Sequence, residues 1–418
     1  MNCSLRFSDW IFQRGSHRPS LMTTDTWPNS PGGSHKGAKR MPRFLNLLFA
    51  LLLAIGTAWT SAPAQAATPN PIPPGYLKTY GNKIRDMQNH NIRILGVNWF
   101  GMETATMSPH GLWARNYQSM ISQIASMGFN TIRLPFSAAM LSGTAADVGG
   151  VHMWLNQEFQ NKTPLQIMDA VIAYAGQEGL RVILDMHSLE PDGNDGKWYS
   201  ATRTEADWIN NWKFLASRYA NNPTVIGADL LNEPSGTWGT GDADDWKRAA
   251  TAAGNAIHSV NNKWLIIVEG LRVWNNTWYW WGGGLQPVAT MPITLNTPNK
   301  LVYSAHDYPP SVFEQPWFAD PNYPNNLPSV WESHWGFIET QNIAPIFLGE
   351  FGSGLETNRD IQWANKLASY IATKKLDWAY FAFNANGLPY MGVLNADWTT
   401  IHPSRQTYLL NLIANTKL

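Results

Sequence analysis

The chain has 418 residues, and its 30 lysines and arginines balance its 30 aspartates and glutamates, so its net charge is zero at pH 7. A neutral chain has no field with which to attract nucleic acid or an anionic membrane, which favours an uncharged partner. Only 14% of its residues are charged, yet 22 are tryptophans. Such rings either pack in a core or stack on a ligand with flat apolar faces, of which a sugar ring is one.

Residues 1–66 are predicted to be a leader. Basic residues precede the apolar run "FLNLLFALLLAIGTAW", and "APAQAA" then offers a cleavage site between small residues. This order is typical of a secretory signal, which places the signal proper at about 41–66 and predicts a secreted protein, extracellular or periplasmic. An uncleaved membrane anchor is the alternative, although the run is short for a span of about 20 residues. Translation can start at Met1 or Met41.

Residues 67–418 are predicted to form a single domain. Cys3 is the only cysteine and lies in the leader, so we expect no disulfide in the mature chain. The segment 77–94 has turn residues between short extended pieces and predicts a small hairpin. Eight short apolar runs follow: "IRILGVNWF", "NTIRLPFS", "RVILDMHS", "VIGADLLNE", "WLIIVEG", "LVYSAHDY", "PIFLGEFG" and "WAYFAFN".

Most of these runs are separated by segments in which apolar residues recur at helical spacing, such as "LQIMDAVIAYAGQEG" and "DIQWANKLASYIATKK". Near-continuous apolar strands that alternate with helices predict a parallel sheet covered by helices, and eight such units predict closure into a (β/α)₈ (TIM) barrel. An open doubly wound sheet is the alternative. No glycine-rich phosphate loop follows any of the runs, and the chain ends one helix past the eighth run, so no second module is expected.

Polar residues stand at the predicted carboxyl ends of the strands, where the chemistry of such barrels lies. One such residue alone is typical of a structural hydrogen bond, but a whole set at equivalent positions indicates a site. The set comprises Arg133, His187, Asn232, Glu233, His306, Tyr308 and Glu350.

Glu233 and Glu350 end the fourth and seventh predicted strands, which face each other across the barrel mouth. Two carboxylates on one cleft suit glycoside hydrolysis, in which one protonates the departing oxygen and the other attacks the anomeric carbon or activates water. A metal site is the alternative use of paired carboxylates, and His187 and His306 keep it open. A serine triad is disfavoured because no G-x-S-x-G elbow is present.

The ordered motifs "NTIRLPFS", "LDMHS", "LLNEP", "HDY" and "LGEFG" together resemble the family 5 glycoside hydrolases of the clan A barrels. Within that family, "ILGVNWFGMET" and "HGLWARNY" resemble bacterial endo-β-1,4-glucanases of the cellulase type. The likeness extends from Leu77 to the C-terminus. It implies that Glu233, in "NEP", is the acid/base and that Glu350, in "GEFG", is the nucleophile.

The same resemblance implies substrate-binding roles for the other residues. Arg133 matches the arginine beside the nucleophile, and Asn232 matches the asparagine that binds the sugar 2-hydroxyl. His187, His306 and Tyr308 match residues that line the cleaved subsite, with Tyr308 placed to bond the nucleophile.

Aromatic residues are expected to line the cleft. Phe381, in "FAFN", stands where the family usually has a tryptophan, so its smaller ring without an N–H alters the stacking platform. Trp99 is predicted to bind substrate, and Trp113, Trp238, Trp281 and Trp317 are further candidates near the cleft.

The resemblance therefore implies a retaining endo-β-1,4-glucanase that acts on cellulose or a related β-glucan. It implies no cofactor and no metal, a monomer, a β-glucan polysaccharide as partner, and no membrane or nucleic-acid partner after signal cleavage. Mannan or xyloglucan is the alternative substrate for the same mechanism. A non-catalytic carbohydrate-binding barrel is the alternative from another class.

Overall fold

A computed structural model describes residues 71–387 and 391–418. The predicted leader at 1–66, with its signal segment, lies outside these residues and stays a prediction. Within the described ranges, no helix is both long enough and apolar enough to cross a membrane.

Eight parallel strands close into a barrel in chain order, and the eighth pairs with the first through Trp378 and Leu95. This closure confirms the (β/α)₈ prediction over the open sheet. The barrel strands are Leu95–Asn98, Thr131–Ser137, Arg181–Ser188, Val225–Asp229, Leu265–Glu269, Leu301–Asp307, Ile346–Phe351 and Asp377–Tyr380. All residues of the fourth, fifth, seventh and eighth strands are buried, which explains their near-continuous apolar sequences.

The helices pack around the barrel where the helical spacing placed them. Their bounds are Tyr117–Ser126, Pro164–Gln177, Glu205–Arg218, Trp246–Val260, Leu327–Trp331, Phe337–Thr340, Asn358–Lys374 and Pro403–Thr416, and a π-helical turn at Glu332–Gly336 joins the fifth to the sixth. Thr163 and Thr204 begin two of them with capping boxes. Gly128 and Gly179 follow two helices at positive φ, as expected of stop signals.

The predicted N-terminal hairpin is present as Leu77–Tyr80 paired antiparallel with Lys83–Asp86. Its residues Leu77 and Ile84 belong to the same buried cluster as Ile226 and Leu265, which lie at the amino ends of barrel strands. The hairpin therefore covers the N-terminal end of the barrel. The predicted site residues lie towards the other end.

The unit between the fifth and sixth strands departs from the predicted rhythm. It holds a second hairpin, Val273–Trp274 with Thr277–Trp278, and a 3₁₀ turn at Gln286–Ala289 in place of a long helix. Asn275 and Asn276 form the tip at φ 47° and 59°. Asparagine tolerates this left-handed region better than most residues, so "WNNTW" carried a hairpin signal that periodicity alone did not reveal.

Two predicted strand ends were misplaced. The fourth strand ends at Asp229, so Asn232 and Glu233 lie beyond it, and Glu233 adopts φ 48°, which a strand cannot contain. Arg133 is the third residue of the seven in the second strand rather than its last. The side chains of these residues nevertheless meet at one site.

Candidate active site

Arg133 is the centre of the site. It is fully buried, and its Nη1 donates to Oε1 of Glu350 at 2.6 Å. Its other contacts are Asn98 at 2.9 Å, Asp229 at 2.9 Å, Glu269 at 3.0 Å, Asn232 at 3.1 Å and Asp185 at 3.1 Å. Burial alone would lower the pKa of Arg133, but Asp185, Asp229 and the neighbouring glutamates raise it well above its ordinary value. One permanent cation thus organises the acidic groups of the site.

Glu350, in the seventh strand, is 2% exposed. Besides its bond from Arg133, it accepts a hydrogen bond from the hydroxyl of Tyr308 at 2.8 Å. Burial alone would raise the pKa of Glu350, but the charges of His306 and Arg133, together with the Tyr308 bond, bring it below its ordinary value. The geometry therefore keeps this carboxylate ionised.

Glu233 has the opposite electrostatic environment. Burial raises its pKa, and the charges of Glu350 and Glu269 raise it further, while the bond with His306 opposes them. Its side chain is 17% exposed, so the carboxyl group still reaches the cleft. A carboxyl with a raised pKa beside one with a lowered pKa is the arrangement that separates an acid from a nucleophile.

His306 lies between the two carboxyl groups. Its Nδ1 is 3.2 Å from Oε1 of Glu233 and 3.7 Å from Oε2 of Glu350. One oxygen of each glutamate and a ring nitrogen of His306 all lie within 4.8 Å of one another. So close an approach of two carboxyl oxygens fits the separation of about 5 to 5.5 Å between the carboxyl groups of retaining glycosidases better than the roughly 6.5 Å or more of inverting ones.

A chain of polar contacts fixes the amide of Asn232. Since Arg133 can only donate, the oxygen of Asn232 must face it, and its nitrogen lies 3.2 Å from Nε2 of His187. Nδ1 of His187 is in turn 2.8 Å from Asp185. Asn232 and His187 therefore have fixed orientations next to Glu233 and Glu350.

An aromatic row extends from the eighth strand. Phe381 lies directly after that strand and stacks on Phe100 in a nearly parallel arrangement, with centroids 5.5 Å apart. His110 is 5.3 Å from Phe100 and again 5.3 Å from Trp113, which is 37% exposed. Burial lowers the pKa of His110 to about 4, so this ring stays neutral. Trp113 is the most exposed ring of this row, whereas Phe381 is only 7% exposed.

The prediction that Trp99 binds substrate is corrected. Trp99 is fully buried, its indole N–H donates to the main-chain oxygen of His110 at 3.0 Å, and its ring packs against Phe383. It supports the cleft wall from behind. Trp238 is 1% exposed and likewise belongs to the core, as do ten further tryptophans that are less than 2% exposed.

The sequence reasoning missed three buried carboxylates that contact Arg133, namely Asp185, Asp229 and Glu269. Each lies in a barrel strand and is fully buried. A signal was available, because acidic side chains are almost never buried without a partner. Glu269 also ends the fifth strand, a position equivalent to those of the predicted site residues on other strands.

Three sets of residues in the described ranges lie close enough to share a metal ion. They are Asp185 with His187 and Glu350, Glu233 with His306 and Glu350, and Asp185 with Asp229 and Glu269. In the third set, all three carboxylates already contact Arg133. The guanidinium supplies the positive charge that a metal would otherwise bring to them.

Comparisons with known proteins agree with this geometry. Residues 86–387 match the family model described as cellulase, glycosyl hydrolase family 5. The chain is 45% identical over 346 residues to an endoglucanase of Paenibacillus polymyxa, with 80% of this chain and 86% of that protein covered.

Solved structures give the same result. The catalytic domain of the major endoglucanase from Xanthomonas campestris pv. campestris matches with a TM-score of 0.76 and 39% identity, covering 81% of this chain and 100% of that one. A cellotetraose complex of an endocellulase from Pyrococcus horikoshii matches with a TM-score of 0.76 and 35% identity, covering 82% and 100%. The chain belongs to glycosyl hydrolase family 5.

Proposed function

We propose that the protein is a retaining endo-β-1,4-glucanase that hydrolyses cellulose or a related β-glucan. The observation that carries this proposal is the pair Glu233 and Glu350, which have one carboxyl oxygen each within 4.8 Å of the other at His306 and whose pKa values are shifted in opposite directions. Such a pair supplies a proton donor and an ionised nucleophile at one pH.

In the proposed mechanism, Glu350 attacks the anomeric carbon while Glu233 gives its proton to the departing glycosidic oxygen. The anomeric carbon is then esterified to Glu350, and Glu233, now ionised, removes a proton from the water that hydrolyses this ester. Arg133 and Tyr308 hold Glu350 ionised and oriented before the attack. In this mechanism Asn232 bonds the sugar 2-hydroxyl, a contact that strengthens in the transition state. Two inversions at one carbon give net retention.

Aromatic rings on both sides of the seventh strand support internal cleavage. On one side are Phe381 and Phe100, and on the other the loops after the fifth and sixth strands carry Trp278 and Phe313, which are 40% and 42% exposed and stacked on each other. Glu350 lies on the strand between these groups. A neutral polymer could therefore contact rings on each side of the bond that is cut.

The decisive experiment measures reducing-end release on carboxymethylcellulose, mannan and xyloglucan, together with the viscosity of the cellulose derivative. We expect the highest rate on the β-glucan, with viscosity falling early because internal bonds are cut. Proton NMR of the first product should show the β anomer. A higher rate on mannan or xyloglucan would favour the alternative substrate, and binding without reducing-end release would favour the non-catalytic barrel.

The nucleophile can be identified directly. A 2-deoxy-2-fluoro cellobioside with a dinitrophenyl leaving group should form a stable ester, and mass spectrometry should find it on the peptide that contains Glu350. Labelling of the peptide that contains Glu233 instead would reverse the two assignments.

We also propose that the protein is exported, because the leader has the order of a secretory signal and a polymeric substrate lies outside the cell.

A further inference from the structure

Glu269 is a buried charge to which neither the family resemblance nor the proposed mechanism gives a task. It is the last residue of the fifth strand and is fully buried. Its Oε1 receives a bond from Arg133 at 3.0 Å and lies 3.4 Å from Nε2 of His306. Its Oε2 accepts the main-chain N–H of Glu233 at 2.8 Å. The carboxylate of Glu269 thus bonds the backbone of Glu233, the expected acid/base, and lies near His306, which contacts the side chain of Glu233.

The contact with Arg133 does not account for Glu269. Arg133 also reaches Asp185, Asp229 and Glu350 within 3.1 Å, so its charge has partners without a fourth carboxylate. The contact with the backbone of Glu233 is different, because it stabilises one particular backbone conformation of that residue.

Glu233 adopts φ 48°, in the left-handed region that a residue with a side chain rarely occupies. Such a conformation persists only when the surrounding contacts impose it. The N–H of Glu233 points at Glu269, and the side chain of Glu233 contacts His306, which Glu269 approaches from its other ring nitrogen. Glu269 therefore holds the backbone of Glu233 by a hydrogen bond and lies beside the histidine that contacts the side chain of Glu233.

The neighbouring main chain leaves room for this carboxylate. Gly282 has φ 69°, and a Cβ at that position would lie 2.5 Å from Oε2 of Glu269 and 3.1 Å from Nδ1 of His306. Only a residue without a side chain can pass so close without displacing one of them.

We propose that Glu269 is a positioning residue that holds Glu233 in the left-handed conformation from which its carboxyl group reaches the glycosidic oxygen. The inference depends on the proposed function, since it assigns to Glu269 the aiming of the acid/base. It predicts that the loss of Glu269 harms proton donation more than any other step.

The test is the Glu269→Gln variant. Whichever way the new amide turns, its NH₂ group faces a donor, Arg133 or the main-chain N–H of Glu233, and one contact is lost. We expect kcat/KM on cellotetraose to fall by up to about 100-fold, the lower range of a general-acid contribution. On 2,4-dinitrophenyl cellobioside, whose leaving group needs no proton, we expect a loss of less than about threefold.

Two controls separate positioning from stability. Asp377→Asn alters another buried carboxylate that accepts a main-chain N–H, from Ile94 at 2.7 Å, and neighbours Arg93, but it lies at the amino end of the eighth strand. It should lower the melting temperature without changing the ratio of kcat/KM on cellotetraose to kcat/KM on the aryl cellobioside. Glu233→Ala should show how far this ratio falls when the acid is absent.

Equal losses on both substrates for Glu269→Gln, or no loss on either, would overturn the inference. If that variant does not fold, Glu269→Asp answers the same question, because it keeps the charge for Arg133 and withdraws the carboxylate from Glu233 by one methylene. A wild-type protein inactive on cellotetraose and on the aryl cellobioside would instead refute the proposed function, so the two failures can be told apart.

Discussion

The hydroxyl of Tyr308 gives the sharpest test of the electrostatics of the site. It donates to Oε2 of Glu350 at 2.8 Å, and both groups are buried. Burial raises the pKa of Tyr308 well above its ordinary value, and Glu350 raises it further, so the hydroxyl keeps its proton and remains a donor. The Tyr308→Phe variant removes this bond and leaves the ring.

The magnitude follows from the charge of the acceptor. A hydrogen bond to an ionised group is worth about 1.5 to 3 kcal/mol, and about 1.4 kcal/mol is a factor of ten. On the acidic limb of the pH profile, kcat/KM is proportional to the ionised fraction of Glu350. At one pH on that limb, kcat/KM divided by its plateau value should therefore be roughly 10- to 100-fold lower in Tyr308→Phe than in the wild type.

Loss of the Tyr308 bond affects the two limbs of the pH profile differently. The bond stabilises only the ionised form of Glu350 and contributes to its lowered pKa, so removing it raises that pKa and moves the acidic limb to higher pH. The alkaline limb, which reports deprotonation of Glu233, should stay in place. The assay is kcat/KM for a soluble cello-oligosaccharide across the full pH range, with Tyr380→Phe as control.

Tyr380 is a suitable control because its hydroxyl is also buried but bonds main-chain groups of Ser353 and Met391. Its loss should change stability and leave both limbs unmoved. The reasoning would be refuted if Tyr308→Phe lowered the plateau without moving the acidic limb. A shift of the alkaline limb instead would indicate that Glu233 and Glu350 exchange roles.

Three further predictions concern the same cleft. Glu350→Gln should abolish reducing-end release yet melt near the wild-type temperature, because Arg133 keeps three other carboxylates. Phe381→Trp should lower KM for cello-oligosaccharides by about two- to tenfold, from an aromatic contact of about 0.5 to 1.5 kcal/mol, and an unchanged KM would show that Phe381 does not contact sugar. Dialysis against EDTA should leave kcat unchanged, and a loss restored by a divalent ion would revive the metal alternative.

The barrel could be predicted because the sequence patterns that produce its strands and helices are local. A parallel strand covered on both faces needs a nearly continuous apolar run, and the helices between such runs need apolar residues at helical spacing. Each of these patterns lies within a few consecutive residues. The exception, the unit after the fifth strand, replaces its helix with a hairpin whose signal is two asparagines rather than a period.

The site was predicted less completely because its contacts join distant parts of the chain. Motifs identified Arg133 and Glu350, but the burial of Trp99 and the convergence of Asp185 and Asp229 on Arg133 depend on how the strands are arranged around the barrel. A tryptophan in a strand-end motif has the same sequence signature whether it faces the cleft or the core.

Burial of the four carboxylates around Arg133 is what allows the pKa values of Glu233 and Glu350 to differ. In water, a single guanidinium would screen each of them only weakly, and Glu350 and Glu233 would titrate almost alike. Within the barrel, desolvation raises the pKa of Glu233, while the cationic neighbours of Glu350 more than offset the same desolvation there. The difference between the two glutamates thus arises from the positions of Arg133, His306 and Tyr308 rather than from the glutamates themselves. A substitution that admits water to this cluster should bring the two limbs of the pH profile closer together even if both glutamates remain.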